Sequence, residues 1–175
     1  MNMRNKKVLF TVQAAVIAAV YVVLTFFISA FDLASGAIQV RISEALCILP
    51  YFTPAAIPGL FLGCLLSNFL TGCMIWDVVF GSLATLLGAL GTWLISGRPR
   101  QGDSIPTSGK AKWLAPLPPI AANTLIVPFV LYYAYGFPGS IPYFMLTVGA
   151  GEIISCGILG LLLLKLLSRY RKYIF

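Results

Sequence analysis

Between residues 40 and 81, VRISEALCILPYFTPAAIPGLFLGCLLSNFLTGCMIWDVVFG, the chain is apolar enough to sit in lipid, yet it carries Arg41, Glu44, Asn68 and Asp77. Hydrocarbon penalises such groups, by about 3 kcal/mol for a charged side chain near the bilayer centre, unless they are paired or wetted. Pro50, Pro54 and Pro58 cut the same stretch into short apolar pieces. Membrane proteins accept interrupted helices where the freed backbone is buried in protein or lines a cavity. The stretch reads as the wall of a binding site inside a membrane protein.

The rest of the chain fits that constraint. Of 175 residues 59% are hydrophobic and 10% charged, with a mean hydropathy of +0.94, against roughly 45–50% apolar in an ordinary soluble domain. The expected fold is all-α: a single transmembrane domain over 1–175, with helices near 8–29, 41–53, 55–71, 77–96, 112–135 and 141–167. Residues 30–39, holding Asp32, Ser35 and Gly36, read as an outer loop long enough to act as a lid or as a simple connector. Residues 97–111, beginning GRPRQGDSIPTSG, read as a flexible cytoplasmic loop.

The net charge of +7 belongs to topology rather than to nucleic acid. Eleven of the twelve basic residues lie in three places: Arg4, Lys6 and Lys7; Arg98, Arg100, Lys110 and Lys112; and Lys165, Arg169, Arg171 and Lys172. Six alternating crossings put all three on the cytoplasmic side, with both termini inside, as the positive-inside rule requires. The twelfth is Arg41. Of the five acids, Asp32, Glu44, Asp77 and Glu152 then fall outside or in the outer half of the membrane.

Arg41 and Glu44 are three apart, so on a helix they share a face, either as an ion pair fixing the helix end or as ligand-binding groups. Glu152 has no basic neighbour in sequence, and a lone carboxylate in a membrane helix points to function. Together with Asn68, Asp77 and Asn123 these groups suit a ligand offering several N–H donors, since carboxylates accept bidentate pairs and amides both donate and accept. Of Trp76, Tyr51, Phe52, Tyr132 and Tyr143, which include candidates for stacking on a flat ring, Trp76 is the one close to the polar cluster in sequence, although aromatics near membrane boundaries also serve as anchors. In the first helix Ala14/Ala18 and Ala15/Ala19 form overlapping small-xxx-small pairs, which serve either internal packing or close approach of a partner.

Catalysis is hard to build here. With no histidine, Ser-His and Cys-His nucleophile pairs and HExxH zinc sites are impossible, and no P-loop or GxGxxG is present. The four cysteines lack CxxC spacing and read as small buried apolar residues rather than metal ligands. The chain therefore reads as a non-enzyme without metal or cofactor, and it cannot itself spend ATP.

RISEAL followed by LPYFTPAAIPGLFLGCLLSN, then WDVVFGSLATLLGAL, PLPPIAAN and VGAGE, closely resemble the QueT-type family, the queuosine-precursor substrate-binding subunits (S components) of energy-coupling-factor (ECF) transporters. The resemblance covers most of the chain from Val40 onward, and more loosely the alanine pairs of the first helix. It implies a six-helix S component of a prokaryotic cell membrane that binds its ligand near the outer face. Ala14, Ala15, Ala18 and Ala19 would dock on a transmembrane coupling protein driven by two cytoplasmic ATPases. The implied ligand is a 7-deazaguanine base such as preQ0 or preQ1, or queuine. Glu152 and Glu44 are the expected carboxylates, supported by Arg41, Asn68, Asp77 and Asn123. Two other classes remain open on the residues alone: a stand-alone proton-coupled transporter of a nucleobase-like compound, and a structural or assembly subunit.

Overall fold

The computed structural model of the chain describes residues 3–29, 41–100 and 109–174. The expected lid at 30–39 and most of the loop at 97–111 lie outside the described residues. Among those described every element is helical: α1 (Met3–Ser29), a 3₁₀ helix (Ile42–Tyr51), α2 (Ala56–Leu70), α3 (Ile75–Ile95), α4 (Gly109–Leu114), α5 (Leu117–Tyr133), α6 (Ile141–Glu152), a π-helical segment (Ile153–Leu159) and α7 (Gly160–Ile174). Four stretches are long and apolar enough to cross a bilayer, namely Asn5–Ser29, Ile75–Ile95, Gly109–Tyr133 and Ile141–Tyr170. The 3₁₀ helix and α2 are shorter, at 10 and 15 residues.

Small residues set how the helices meet. Gly59 and Gly63 of α2 lie against α1: a methyl group added at Gly59 would sit 2.8 Å from the Ala14 carbonyl, and one at Gly63 2.8 Å from Tyr21 Cβ. Close helix contact in lipid rests on such small faces, because lipid supplies no hydrophobic drive between apolar helices. The α3–α5 contact uses the same device with larger knobs. Pro118 and Pro119 at the start of α5 press on Gly91 and Gly88, where an added methyl would stand 2.4 Å and 2.6 Å from proline carbons. Prolines are tolerated in that first turn because its N–H groups have no intrahelical acceptor.

The 3₁₀ helix is the central element. It contacts α1, α2, α3, the π segment and α7, and Ser43 through Tyr51 are all buried. At roughly 2.0 Å of rise per residue, ten residues cover about 20 Å, too short to span a roughly 30 Å hydrocarbon core. The expected α-helix over 41–53 is thus a tighter and shorter plug held inside the bundle. Pro50 sits within it, and Phe52 and Thr53 close the turn on the Leu49 carbonyl. The fifth expected helix also differs: it is split into α4 and α5, because Pro116, Pro118 and Pro119 allow a new helix to begin but not the old one to continue. The last helix runs through without a break, its π turn beginning one residue after Glu152.

Candidate functional site

Arg41, Glu44, Asn123 and Glu152 line one small cavity together with Gly81, Thr85, Val127 and Val148. Gly81 and Thr85 stand six and ten residues into α3, and Glu152 eleven into α6, so the cavity lies about 9–16 Å below the turns at 71–74 and 134–140 at 1.5 Å per residue. Gly81 leaves room there: a methyl group on it would stand 3.2 Å from Asn68 Nδ2 and 3.3 Å from Asp77 Oδ1. The cavity measures about 20 Å³, which is space for a water molecule or so, far below the roughly 300–1,000 Å³ of ordinary ligand pockets. A ring-sized ligand requires its walls to part.

Each wall carries a distinct electrostatic assignment. Glu44, 2% exposed, is held from three sides by neutral groups. Tyr21 OH donates to Oε1, Cys47 Sγ–H donates to Oε2 at 2.9 Å, and Cys156 Sγ–H donates to the Glu44 carbonyl at 3.2 Å. The short i to i+3 reach within the 3₁₀ helix is what brings Cys47 beneath Glu44. Arg41 does not pair with Glu44. It crosses to α3, where Nη2 lies 3.7 Å from Asp77 Oδ2, and to α2, where Nη1 donates to Asn68 Oδ1 at 3.4 Å. Asn68 Nδ2 in turn donates to the Asp77 backbone carbonyl at 3.4 Å. Asn68 and Asp77 therefore act by holding Arg41 at the cavity rather than by lining it.

Glu152 differs from the other two acids. Asn123 Nδ2 donates to its Oε1 at 3.0 Å, while Oε2 is buried with no hydrogen-bond partner. A buried acceptor left unpaired costs about 1–3 kcal/mol, and here it belongs to a cavity-lining residue. The adjoining π segment fits that location, since π turns occur often at functional sites. Ser155 Oγ, in the same segment, is likewise buried and unpaired.

Tyr135 is a contributor that sequence reasoning did not single out. Its OH donates to Asp77 Oδ2 at 3.3 Å and accepts from the Met74 N–H at 3.2 Å, clasping the turn after α5 to the start of α3 above the cavity. Burial pushes this phenol up to about 12, so it remains a donor through the physiological range. Tyr21, which fixes Glu44, was also missed. Nothing in a tyrosine eighteen residues into an apolar helix, or in one beside a turn glycine, marks either as a partner for a distant acid.

Two expectations need correction. Trp76 does not face the cavity: it is 55% exposed and stacks on Phe80 at 6.0 Å, lining an outward apolar groove with Phe129 and Tyr133. Successive residues on an α-helix point about 100° apart, so turning Asp77 inward turns Trp76 away. The alanine quartet is divided. Ala18 is buried at Gly63 and Ala14 meets Gly59, so this pair serves internal packing, whereas Ala15 and Ala19 are exposed on the outer side of α1.

Against this geometry, the comparisons with known proteins are specific. The sequence profile described as QueT transporter matches residues 11–169. The Queuosine precursor transporter QueT of Lactococcus lactis subsp. cremoris (strain MG1363) is 36% identical over 85 residues, covering 49% of this chain and 50% of that protein. That match spans about half the length of the relative. No solved structure matches the chain. A buried polar pocket among apolar helices is what a small-molecule carrier needs, and with a profile match over nearly the whole chain, this protein belongs to the QueT transporter family.

Proposed function

We propose that this chain is the membrane-embedded substrate-binding subunit of an ATP-driven ECF importer, capturing a queuosine precursor at the outer face of a prokaryotic cell membrane. Its family consists of transporters, and its apolar helices make it a multi-pass membrane protein. In this reading the 3₁₀ helix, lengthened by its flanking residues, and α2 carry the chain through the second and third of six passes, and both termini are cytoplasmic. The ligand is a 7-deazaguanine base such as preQ0 or preQ1, or queuine.

The observation that carries the reading is the charge distribution around the cavity. Arg41 and Asp77 offset each other, whereas Glu44 and Glu152 have only neutral hydrogen-bond donors, namely Tyr21, Cys47 and Asn123. Two acceptor-rich groups facing one space suit a base whose N1–H and 2-amino group can bind one carboxylate. An aminomethyl cation on the 7-position would find the other, and the guanine-like O6 suits the Arg41 guanidinium. Glu152 Oε2, unpaired in the closed cavity, is the acceptor such a ligand would satisfy. Energy must come from elsewhere, since the chain has no phosphate-binding loop. Ala15 and Ala19, exposed on α1, are the small face left for a coupling protein.

Glu152 Oε2 also supports a second reading, in which the carboxylate carries a proton in a stand-alone transporter. Uptake assays separate the two: the importer reading expects dependence on an ATPase partner and indifference to a proton gradient. Mass spectrometry of small molecules released from the purified protein tests the substrate class, with a 7-deazaguanine base or queuine as the expected product. Release of an unrelated vitamin would overturn it.

A further inference from the structure

Toward the opposite end of the bundle from the cavity, α4, the end of the π segment and α7 line an open groove of about 500 Å³. Its floor and walls are Ile158, Leu161, Leu162 and Leu164, and its rim carries Lys112, Lys165 and Ser168. From Ile158 to Ser168 is ten residues, or about 15 Å at 1.5 Å per residue, enough to receive much of an acyl chain lying along the helix. Trp113, 74% exposed, stands on the same rim, where indoles settle at the membrane–water interface.

The charges decide which lipid. The three described carboxylates, Glu44, Asp77 and Glu152, all belong to the other end, where Asp77 pairs with Arg41. Lys112 and Lys165 therefore face the groove without a described counter-ion, with exposed Arg169 one turn beyond Lys165. Ser168 Oγ gives its proton to the Leu164 carbonyl at 2.7 Å, so the attraction for an anion at this rim rests on the lysines. Basic pockets between transmembrane helices bind anionic headgroups.

We infer that the α4–α7 groove is a binding site for an anionic phospholipid, its acyl chain along Ile158, Leu161 and Leu162 and its phosphate between Lys112 and Lys165. The site is distinct from the cavity at Glu152 and independent of the transported ligand. A phosphodiester accepts hydrogen bonds from both ammonium groups, while a zwitterionic headgroup brings its own cation into the same space. The groove thus discriminates by net headgroup charge.

Native mass spectrometry of the full chain, titrated with phosphatidylglycerol and with phosphatidylcholine, reads the preference directly. Wild-type protein should retain one phosphatidylglycerol preferentially. Lys112→Gln with Lys165→Gln should lower its apparent affinity about ten- to thirty-fold, from about 1 kcal/mol per basic residue near the surface. Lys6→Gln with Lys7→Gln removes equal charge from the same end of the bundle but away from the groove, and should change it less than about two-fold. Leu162→Trp, a substitution at an exposed position, should fill the groove and also displace the lipid. Equal losses in the two lysine pairs would mean diffuse attraction to a basic surface and would overturn the site. So would competition by soluble glycerol phosphate as effective as that by the lipid, or unchanged retention in both the lysine-pair and Leu162→Trp variants.

Discussion

At the end of the bundle formed by the 71–74 and 134–140 turns, the described charges are buried or, for Arg41, half-buried, and each is held: Glu44 by Tyr21 and Cys47, Arg41 by Asp77 and Asn68, Glu152 by Asn123. At the other end Lys6, Lys7, Lys110, Lys165 and Arg169 are exposed, and no described carboxylate answers them. The difference follows from what each environment charges for a polar group. An interior position demands a partner for every donor and acceptor, so a cluster retained there is arranged to a purpose. A headgroup-level position asks for nothing, because water and lipid phosphate complete the coordination. The protein thus has a polar interior, which the proposed function uses for capture, and a basic rim at the other end, which the proposed lipid site uses.

The largest effect expected at the buried end comes from splitting its ion pair. Arg41→Leu should lower stability by about 3 kcal/mol, since it strands Asp77 in a desolvated site; thermal unfolding in detergent measures this. Adding Asp77→Leu should recover part of the loss. If the single variant unfolds like wild type, the pair is a solvated contact and the contrast between the ends weakens.

Helix α1 offers a second contrast within a single element. Ala18→Leu forces a branched side chain against Gly63 and Tyr21 and should cost about 1–3 kcal/mol through overpacking, read in the same melts. Ala19→Leu, one residue on but facing outward, should stay within about 0.5 kcal/mol of wild type. Under the importer proposal Ala19→Leu should instead reduce recovery of the coupling protein in pull-down while ligand affinity holds. Equal destabilisation by the two substitutions would contradict the division of the quartet.

A smaller change is expected at the clasp. Tyr135→Phe removes the hydrogen bonds to Asp77 and from Met74, worth about 1 kcal/mol net, and should speed hydrogen exchange in the 134–140 turn without altering the helical content. Unchanged exchange there would show that the turn is fixed by Tyr135–Phe137 stacking rather than by its hydrogen bonds.

Much of this was legible because lipid makes strong demands on sequence. Long apolar runs flanked by basic residues marked α1, α3 and the α6–α7 helix, and an acid or amide inside an apolar stretch marked Glu44, Glu152, Asn68, Asp77 and Asn123. What stayed hidden depends on contacts between segments far apart in the chain. An apolar pattern with residues three apart sharing a face fits a 3₁₀ helix as well as an α-helix, so the tight plug at Ile42–Tyr51 could not be told from an ordinary span. The partner of Arg41 was chosen by helix placement, not by the nearby Glu44. Which alanine pair of α1 turns inward was set by Gly59 and Gly63 of another helix, and small-xxx-small spacing is the same for both pairs.

The central claim is that the cavity between Glu44 and Glu152 receives the transported base, with Glu152 Oε2 as its open acceptor. Calorimetric titration of the purified chain and of Glu152→Gln with the 7-deazaguanine bases and queuine tests it most directly. Wild-type protein should bind at least one of them. The substitution keeps size but replaces an acceptor oxygen with a donor, and should weaken that binding by about 1.5–3 kcal/mol, or roughly ten- to a hundred-fold. Equal affinity in a folded Glu152→Gln protein would place the ligand elsewhere, and failure of all these compounds to bind wild type while an unrelated vitamin does would contradict the assignment of the pocket to a deazapurine.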